Sequence, residues 1–153
     1  MTDPVLWRPP QRIRVVALGL LWRDGRLLAA EVRDDAGRLK GLRPPGGGVA
    51  FGETWRDALR REMREELGLD VAPRGEPLVM ENLFEHEGAR GHEIVFVATV
   101  AADLSALPPG DAFAFHEDHG AALVARWVDP RAPGAPLFPD GLAQALADAQ
   151  AWA

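Results

Sequence analysis

Three glutamates follow closely on a run of glycines. Glu62, Glu65 and Glu66 lie in segment 54–67, and three consecutive glycines occupy positions 46–48. If 54–67 is a helix with about 100° per residue, the three carboxylates share one flank, and Glu66 leans into the apolar stripe formed by Trp55, Leu59, Met63 and Leu67. Unpaired carboxylates at this spacing repel each other and lose stability when partly buried. The pattern therefore favours a chemical role over a structural one.

A hard divalent cation would offset this repulsion, because magnesium prefers oxygen ligands and commonly bridges carboxylates to substrate phosphates. The glycines at 46–48 would let the backbone, including its carbonyl oxygens, come close to such an ion. The same helical geometry predicts that Arg60, Arg61 and Arg64 face solvent. It also places Arg61 four residues before Glu65, a spacing at which the two side chains can form an ion pair. A solvated acidic face remains the alternative interpretation.

Several elements must position these residues. Asp24-Gly25 predicts a hairpin turn. Thr54 followed by Asp57 resembles the capping box that begins a helix, and Gly68 suits the position just after its end. The pattern predicts strands near 13–22, 26–33, 76–88, 91–102 and 122–130 and helices at 54–67 and 141–152. It also predicts a short strand that leads into a glycine-rich turn within 42–49, a loop around 87–91 and an irregular connection over 104–121. A single mixed sheet with helices on its faces is the simplest packing of this order.

Composition narrows the class of protein. The chain has 153 residues, the size of one domain, so we predict a single domain over 1–153. A net charge of −6 without a basic run argues against a stable nucleic-acid partner. The absence of cysteine excludes disulfides and thiolate catalysis. No apolar run suits a membrane span, and the polar start is unlike a signal peptide, so we expect a cytoplasmic protein.

The segment from Gly47 to Leu69 resembles the signature of the Nudix hydrolase family. That signature reads Gly, five residues, Glu, seven residues, then Arg-Glu-U-x-Glu-Glu-x-Gly-U, where U is a bulky aliphatic residue. Gly47, Glu53 and the run 61–69, which is Arg-Glu-Met-Arg-Glu-Glu-Leu-Gly-Leu, match every defined position. The resemblance implies an α/β fold, an α/β/α sandwich with a mixed sheet between helices.

The resemblance also implies roles for individual residues. Glu62, Glu65 and Glu66, with the Gly47 carbonyl, would hold Mg²⁺ or Mn²⁺, and Arg61 would orient Glu65. A metal-activated water would then attack phosphorus in line. Glu53 would support the site. The general base stays open among three candidates, which are Glu62, Glu93 before a buried run, and Glu117 on a later loop.

Contacts to substrate are less well defined by sequence. Arg43, just before the glycines, could reach a phosphate, and Phe84 or Phe115 could stack on a base, with core packing as the alternative for Phe84. His116 and His119 are better explained as polar loop residues than as a metal pair. His86 and His92 flank a loop, where they could contact substrate or make no functional contact.

The resemblance predicts cleavage of a diphosphate bond in a small nucleotide. The chain lacks a proline near 84–86 typical of ADP-ribose hydrolases and has no tyrosine or cysteine. These absences favour a (deoxy)nucleoside triphosphate as substrate. ADP-ribose or another nucleotide sugar is the alternative, and a non-catalytic nucleotide sensor is a further one. The oligomeric state, including a homodimer, is left open.

Overall fold

The computed structural model describes residues 6–116 and 122–149. Nine strands, two α-helices and a 3₁₀ turn follow one another in this part of the chain. In chain order they are β1 Ile13–Leu20, β2 Trp22–Arg23, β3 Arg26–Arg33, β4 Leu39–Arg43, β5 Gly46–Gly48, α1 Trp55–Leu67, β6 Val71–His86, β7 Ala89–Ala102, the 3₁₀ turn Leu104–Ala106, β8 Ala112–His116, β9 Ala122–Val128 and α2 Leu142–Asp148. The predicted α/β class is confirmed.

The strands form two sheets, so the expectation of one mixed sheet was wrong. The first sheet has the order β5-β1-β7-β6, in which β1 and β7 are parallel and the other pairs antiparallel. The second has the order β2-β3-β9-β8, with β4 also paired to β3. Residue Leu21 separates β1 from β2, and the chain changes sheets there. Strand pairing joins residues far apart in sequence, which local patterns do not specify.

The two helices cover opposite sides of this β layer. Ala58, Leu59 and Met63 of α1 are buried in one apolar cluster with residues of both sheets. Leu142 and Leu146 of α2 are buried in a second cluster, which also draws on both sheets. Neither helix in the described ranges has the length and apolar character of a membrane-spanning segment. The α/β/α layering therefore agrees with expectation, although the middle layer is divided.

Helix α1 has the ends that the sequence predicts. The Thr54 hydroxyl accepts a hydrogen bond from the Asp57 backbone N–H at 3.1 Å, which caps the first turn. Gly68 adopts a left-handed φ of 66° and donates its N–H to the Arg64 carbonyl. The Asp57 carboxylate does not close a capping box in the structure, because it accepts from Arg60 at 3.2 Å.

Three local expectations need correction. The stretch predicted as irregular contains β8, whose alternation of buried Phe113 and Phe115 with exposed neighbours is a strand pattern that its short length concealed. The expected glycine turn at 46–48 is strand β5, paired antiparallel with β1. The loop predicted around 87–91 is a tighter turn, since β6 and β7 end and begin at His86 and Ala89.

Candidate functional site

Strand β5 and helix α1 meet where Gly47 faces Glu62. The Glu62 side chain is only 13% exposed. A Cβ atom added to Gly47 would lie 2.6 and 2.7 Å from the two Glu62 carboxylate oxygens, too close for any real contact. Because residue 47 has no side chain, the Glu62 carboxylate can contact the backbone of β5. This contact brings together the two halves of the motif that the sequence singled out.

Arg61 connects the acidic residues around this contact. Its guanidinium binds both Glu53 oxygens at 2.9 Å, Glu62 at 2.8 Å and Glu65 at 3.2 Å. It also donates to the Gly48 carbonyl at 3.0 Å. The pairing with Glu65 confirms the prediction. Placing Arg61 on the solvent face was wrong, because its long side chain reaches back over the loop that follows β5.

The charges in this network stabilise one another. The hydrogen bonds from Arg61, followed by the backbone N–H of Ala50, lower the pKa of Glu53 to about 2. The hydrogen bond to Glu53 is also the main cause that raises the pKa of Arg61, while burial acts in the opposite direction. Glu53 is therefore ionised at neutral pH and anchors the guanidinium that holds Glu62 and Glu65.

The predicted metal ligands lie around this network. Glu65 is 35% exposed, and Glu66 is half-buried on the next position of α1. Within the parts of the chain that are described, no three Asp, Glu or His side chains already converge as a metal cluster. The donor chemistry nevertheless fits a hard cation, because the group facing Gly47 is the Glu62 carboxylate and the other predicted ligands are carboxylate and backbone carbonyl oxygens. The three-glutamate metal site stays a prediction.

Glu93 lies on the face of the first sheet that is opposite α1. As predicted, it lies near the start of a strand, here β7, and it is 4% exposed. Its carboxylate accepts from Arg14 Nη1 at 3.1 Å and from Asn82 Nδ2 at 3.2 Å. Neither Arg14 nor Asn82 belongs to a sequence motif that indicates a functional role. The one available signal is that Arg14 interrupts the apolar alternation that leads into Val16.

The other sequence-predicted residues are scattered. Glu117 and His119 lie outside the described residues. Arg43 ends β4 half-buried and makes no side-chain hydrogen bond or ion pair to any described residue. The Phe84 ring covers buried Gly91, its cross-strand partner, which supports packing as its role. Phe115 is buried in the α1 core, so its proposed stacking on a base was wrong.

His86 and His92 differ in their surroundings. His86 is 9% exposed, lies 5.5 Å from the Trp7 ring centre and has Lys40 Nζ 2.9 Å from its Nδ1. These contacts give it a structural partner on the second sheet. His92 is half-buried on β7.

Comparison with known proteins gives the family. The family model described as NUDIX domain matches residues 10–149. The chain is 47% identical over 58 residues to a protein named nucleoside triphosphatase NudI from Escherichia fergusonii, a match that spans 37% of this chain and 41% of the relative. The chain thus matches about two fifths of the length of that curated relative.

Solved structures give the same result for the fold. The solution structure of the E. coli ORF135 protein has a TM-score of 0.59 and 26% identity, covering 92% of each chain. A NUDIX hydrolase from Nitrosomonas europaea has a TM-score of 0.55 and 22% identity, covering 92% of this chain and 90% of the other. Because the family model also spans nearly all of the chain, this protein belongs to the NUDIX domain family.

Proposed function

We propose that the protein is a metal-dependent pyrophosphohydrolase that cleaves a diphosphate bond in a nucleoside triphosphate. The observation that supports this most is the Glu62 carboxylate resting against Gly47, with Arg61 joining Glu53, Glu62 and Glu65. Arg61 offsets part of the cost of withdrawing the Glu62 carboxylate from water, and a bound divalent cation would offset the repulsion among the neighbouring glutamates. Membership of the family and the name of the NudI relative favour hydrolysis of a nucleotide.

Glu62, Glu65, Glu66 and the Gly47 carbonyl would hold Mg²⁺ or Mn²⁺. The bound ion would lower the pKa of a water molecule and neutralise charge on the phosphates. Arg61 fixes Glu62 and Glu65 by direct hydrogen bonds. Glu53 fixes Arg61 in turn, so that it acts through the arginine and not on substrate. This division of roles explains why a single arginine contacts three of the acidic side chains.

The proposal predicts that Glu66→Gln removes turnover while the protein stays folded. Loss of one charged ligand is expected to lower kcat by a factor on the order of 100 or more. Pyrophosphate release would be followed for a panel of nucleoside triphosphates with magnesium, with ADP-ribose and nucleotide sugars for comparison. Glu76→Gln, an exposed glutamate on β6, is the matched control and should keep wild-type rates.

Chelation gives an independent test. Turnover should stop in EDTA and return with excess magnesium or manganese, because the proposed ligands supply only oxygen donors. Activity that persists in EDTA, or a Glu66→Gln enzyme with a near-normal rate, would contradict the proposal. Tight binding of one nucleotide without any turnover would favour the sensor alternative instead.

A further inference from the structure

Arg14 lies beside the candidate site on the face of the first sheet opposite α1. In the parallel register of β1 and β7 it is the direct partner of Glu93, and Val16 and Val95 follow on the same face. Its side chain is 25% exposed and Glu93 is 6% exposed, so the ion pair is largely withdrawn from water. Removing an arginine and its partner from water costs free energy, so this ion pair is weak evidence for a role in stability alone.

Strand β5 lies between Arg14 and Glu62. A Cβ atom added to Gly48 would lie 3.3 Å from Arg14 Nη2, while the Cβ position of Gly47 points at Glu62. The guanidinium thus occupies the space that a side chain at position 48 would fill. The Gly48 carbonyl accepts from Arg61 at 3.0 Å. β5 is the edge strand of its sheet, so within the described residues no further strand of that sheet lies beyond it.

Arg14 retains hydrogen-bonding capacity and positive charge. A guanidinium has five N–H donors, and in the described part of the chain Arg14 uses one hydrogen bond, to Glu93. Burial is the main cause that lowers its pKa; Glu93 opposes this, and the nearby positive charges of Arg43 and Arg12 lower it further. Arg43 makes no side-chain hydrogen bond or ion pair to the described residues. Arg14 therefore has donors left for an anion, and the charge of Arg43 adds to the positive charge around it.

We propose that Arg14 binds a phosphate group of the substrate and that Glu93, with Asn82, positions its guanidinium. This proposal rests on the proposed function for the identity of the ligand. A guanidinium fork matches phosphate geometry, and its orientation here is fixed from behind by a buried carboxylate. Glu93 has both oxygens engaged by Arg14 and Asn82, so it serves as a positioning residue and not as the general base.

The binding test uses inorganic tripolyphosphate with magnesium, measured by calorimetry in a Glu66→Gln background that suppresses turnover. Arg14→Gln should weaken binding at least about tenfold, since a hydrogen bond to a charged group is lost. Arg14→Lys should recover part of the loss, because it keeps the charge but not the fork. Arg26→Gln, an exposed arginine paired with Asp111, is the matched control and should bind like the parent.

The kinetic test separates the two residues in the enzyme with Glu66 intact. Arg14→Gln should raise the KM for a nucleoside triphosphate at least about tenfold, and Glu93→Gln should raise it less while keeping most of kcat. A Glu93→Gln enzyme without turnover would overturn the positioning role and restore Glu93 as a base. Tripolyphosphate binding by Arg14→Gln within twofold of the parent would overturn the phosphate contact.

An NMR titration of the protein with Arg14 in place avoids the possibility that a substitution disturbs folding. The side-chain Nε–Hε NMR signal of Arg14, assigned by its absence in Arg14→Lys, should shift when tripolyphosphate is added, while that of Arg26 should not. An unshifted Arg14 signal would overturn the proposal. If no nucleotide were hydrolysed but tripolyphosphate still shifted the Arg14 signal, the proposed function would fail and the phosphate contact would stand.

Discussion

Glu53 binds the Arg61 guanidinium with both carboxylate oxygens and is held in its ionised form by that contact. Its pKa is lowered to about 2, mainly by hydrogen bonds from Arg61. Because the pKa in the folded state is below the ordinary value of 4.5, the stabilisation is fully present above about pH 4.5 and is lost as the pH falls towards 2. The ionised form of Glu53 therefore helps to hold the site together at neutral pH.

This linkage predicts the behaviour of Glu53→Gln. The variant should be less stable than wild type at pH 7, and the difference should shrink between about pH 4.5 and 2, where the wild-type carboxylate takes up its proton. Urea unfolding across this range measures the difference. In an Arg61→Met background the same substitution should have little pH-dependent effect. A constant difference at every pH would show that the ion pair is not its cause.

The sequence predicted the positions of the acidic side chains of the candidate site better than those of the arginines. The flank of Glu62, Glu65 and Glu66 follows from helical geometry, which is local. The angle of a Cα atom on the helix does not give the direction of a long side chain, so Arg61 was misplaced. The pair of Arg14 and Glu93 joins residues 79 positions apart and depends on the register of β1 with β7. No local pattern specifies that register.

At the level of elements, the candidate site is a contact between an edge strand and a helix. Helix α1 could be placed within one residue because its capping signals, Thr54 and Gly68, are local in sequence. Strand β5 was mistaken for a turn because three glycines carry no strand propensity. Its pairing with β1 is what gives it an extended form.

This contact predicts opposite outcomes for two neighbouring substitutions. Gly47→Ala should displace the Glu62 carboxylate, because its Cβ would lie 2.6 Å from the nearer oxygen, and should lower kcat at least about tenfold. Gly48→Ala would meet only the flexible end of Arg14 at 3.3 Å and should act mainly on KM. Steady-state kinetics on both variants, with circular dichroism to confirm folding, measures this. Equal kcat in Gly47→Ala and wild type would contradict the assigned contact.

At the level of the whole molecule, contacts at the tip of the β6–β7 hairpin connect the two sheets. The tip of the β6–β7 hairpin carries His86, whose Nδ1 lies 2.9 Å from Lys40 Nζ on β4 of the other sheet. The Asp35 backbone N–H donates to Glu87 at 3.0 Å, and Asp35 also pairs with Arg8. These contacts link the N-terminal segment, the hairpin tip and the loop between β3 and β4.

The protonation state of His86 follows from this arrangement. An ammonium group only donates, so Nδ1 must accept and the imidazole must be neutral. Burial is the main cause that lowers the pKa of His86, and the Lys40 charge lowers it further; Arg8 acts in the same direction, while Glu87 and Asp35 oppose it. Protonation would therefore turn the bond between the two sheets into a repulsive contact.

His86 consequently predicts a loss of stability in mild acid. Because its pKa in the folded state is below the ordinary value of 6.5, its contribution is present above that pH and is lost as the pH falls below it. The free energy of unfolding should fall from pH 7.5 to pH 5, and His86→Gln, which cannot be protonated, should flatten this part of the profile. The His86 contribution begins to be lost at a higher pH than the Glu53 contribution. Urea unfolding at closely spaced pH values therefore separates the two. An equally steep profile in His86→Gln would mean that another group causes the loss and that the hairpin contact does not depend on a neutral imidazole.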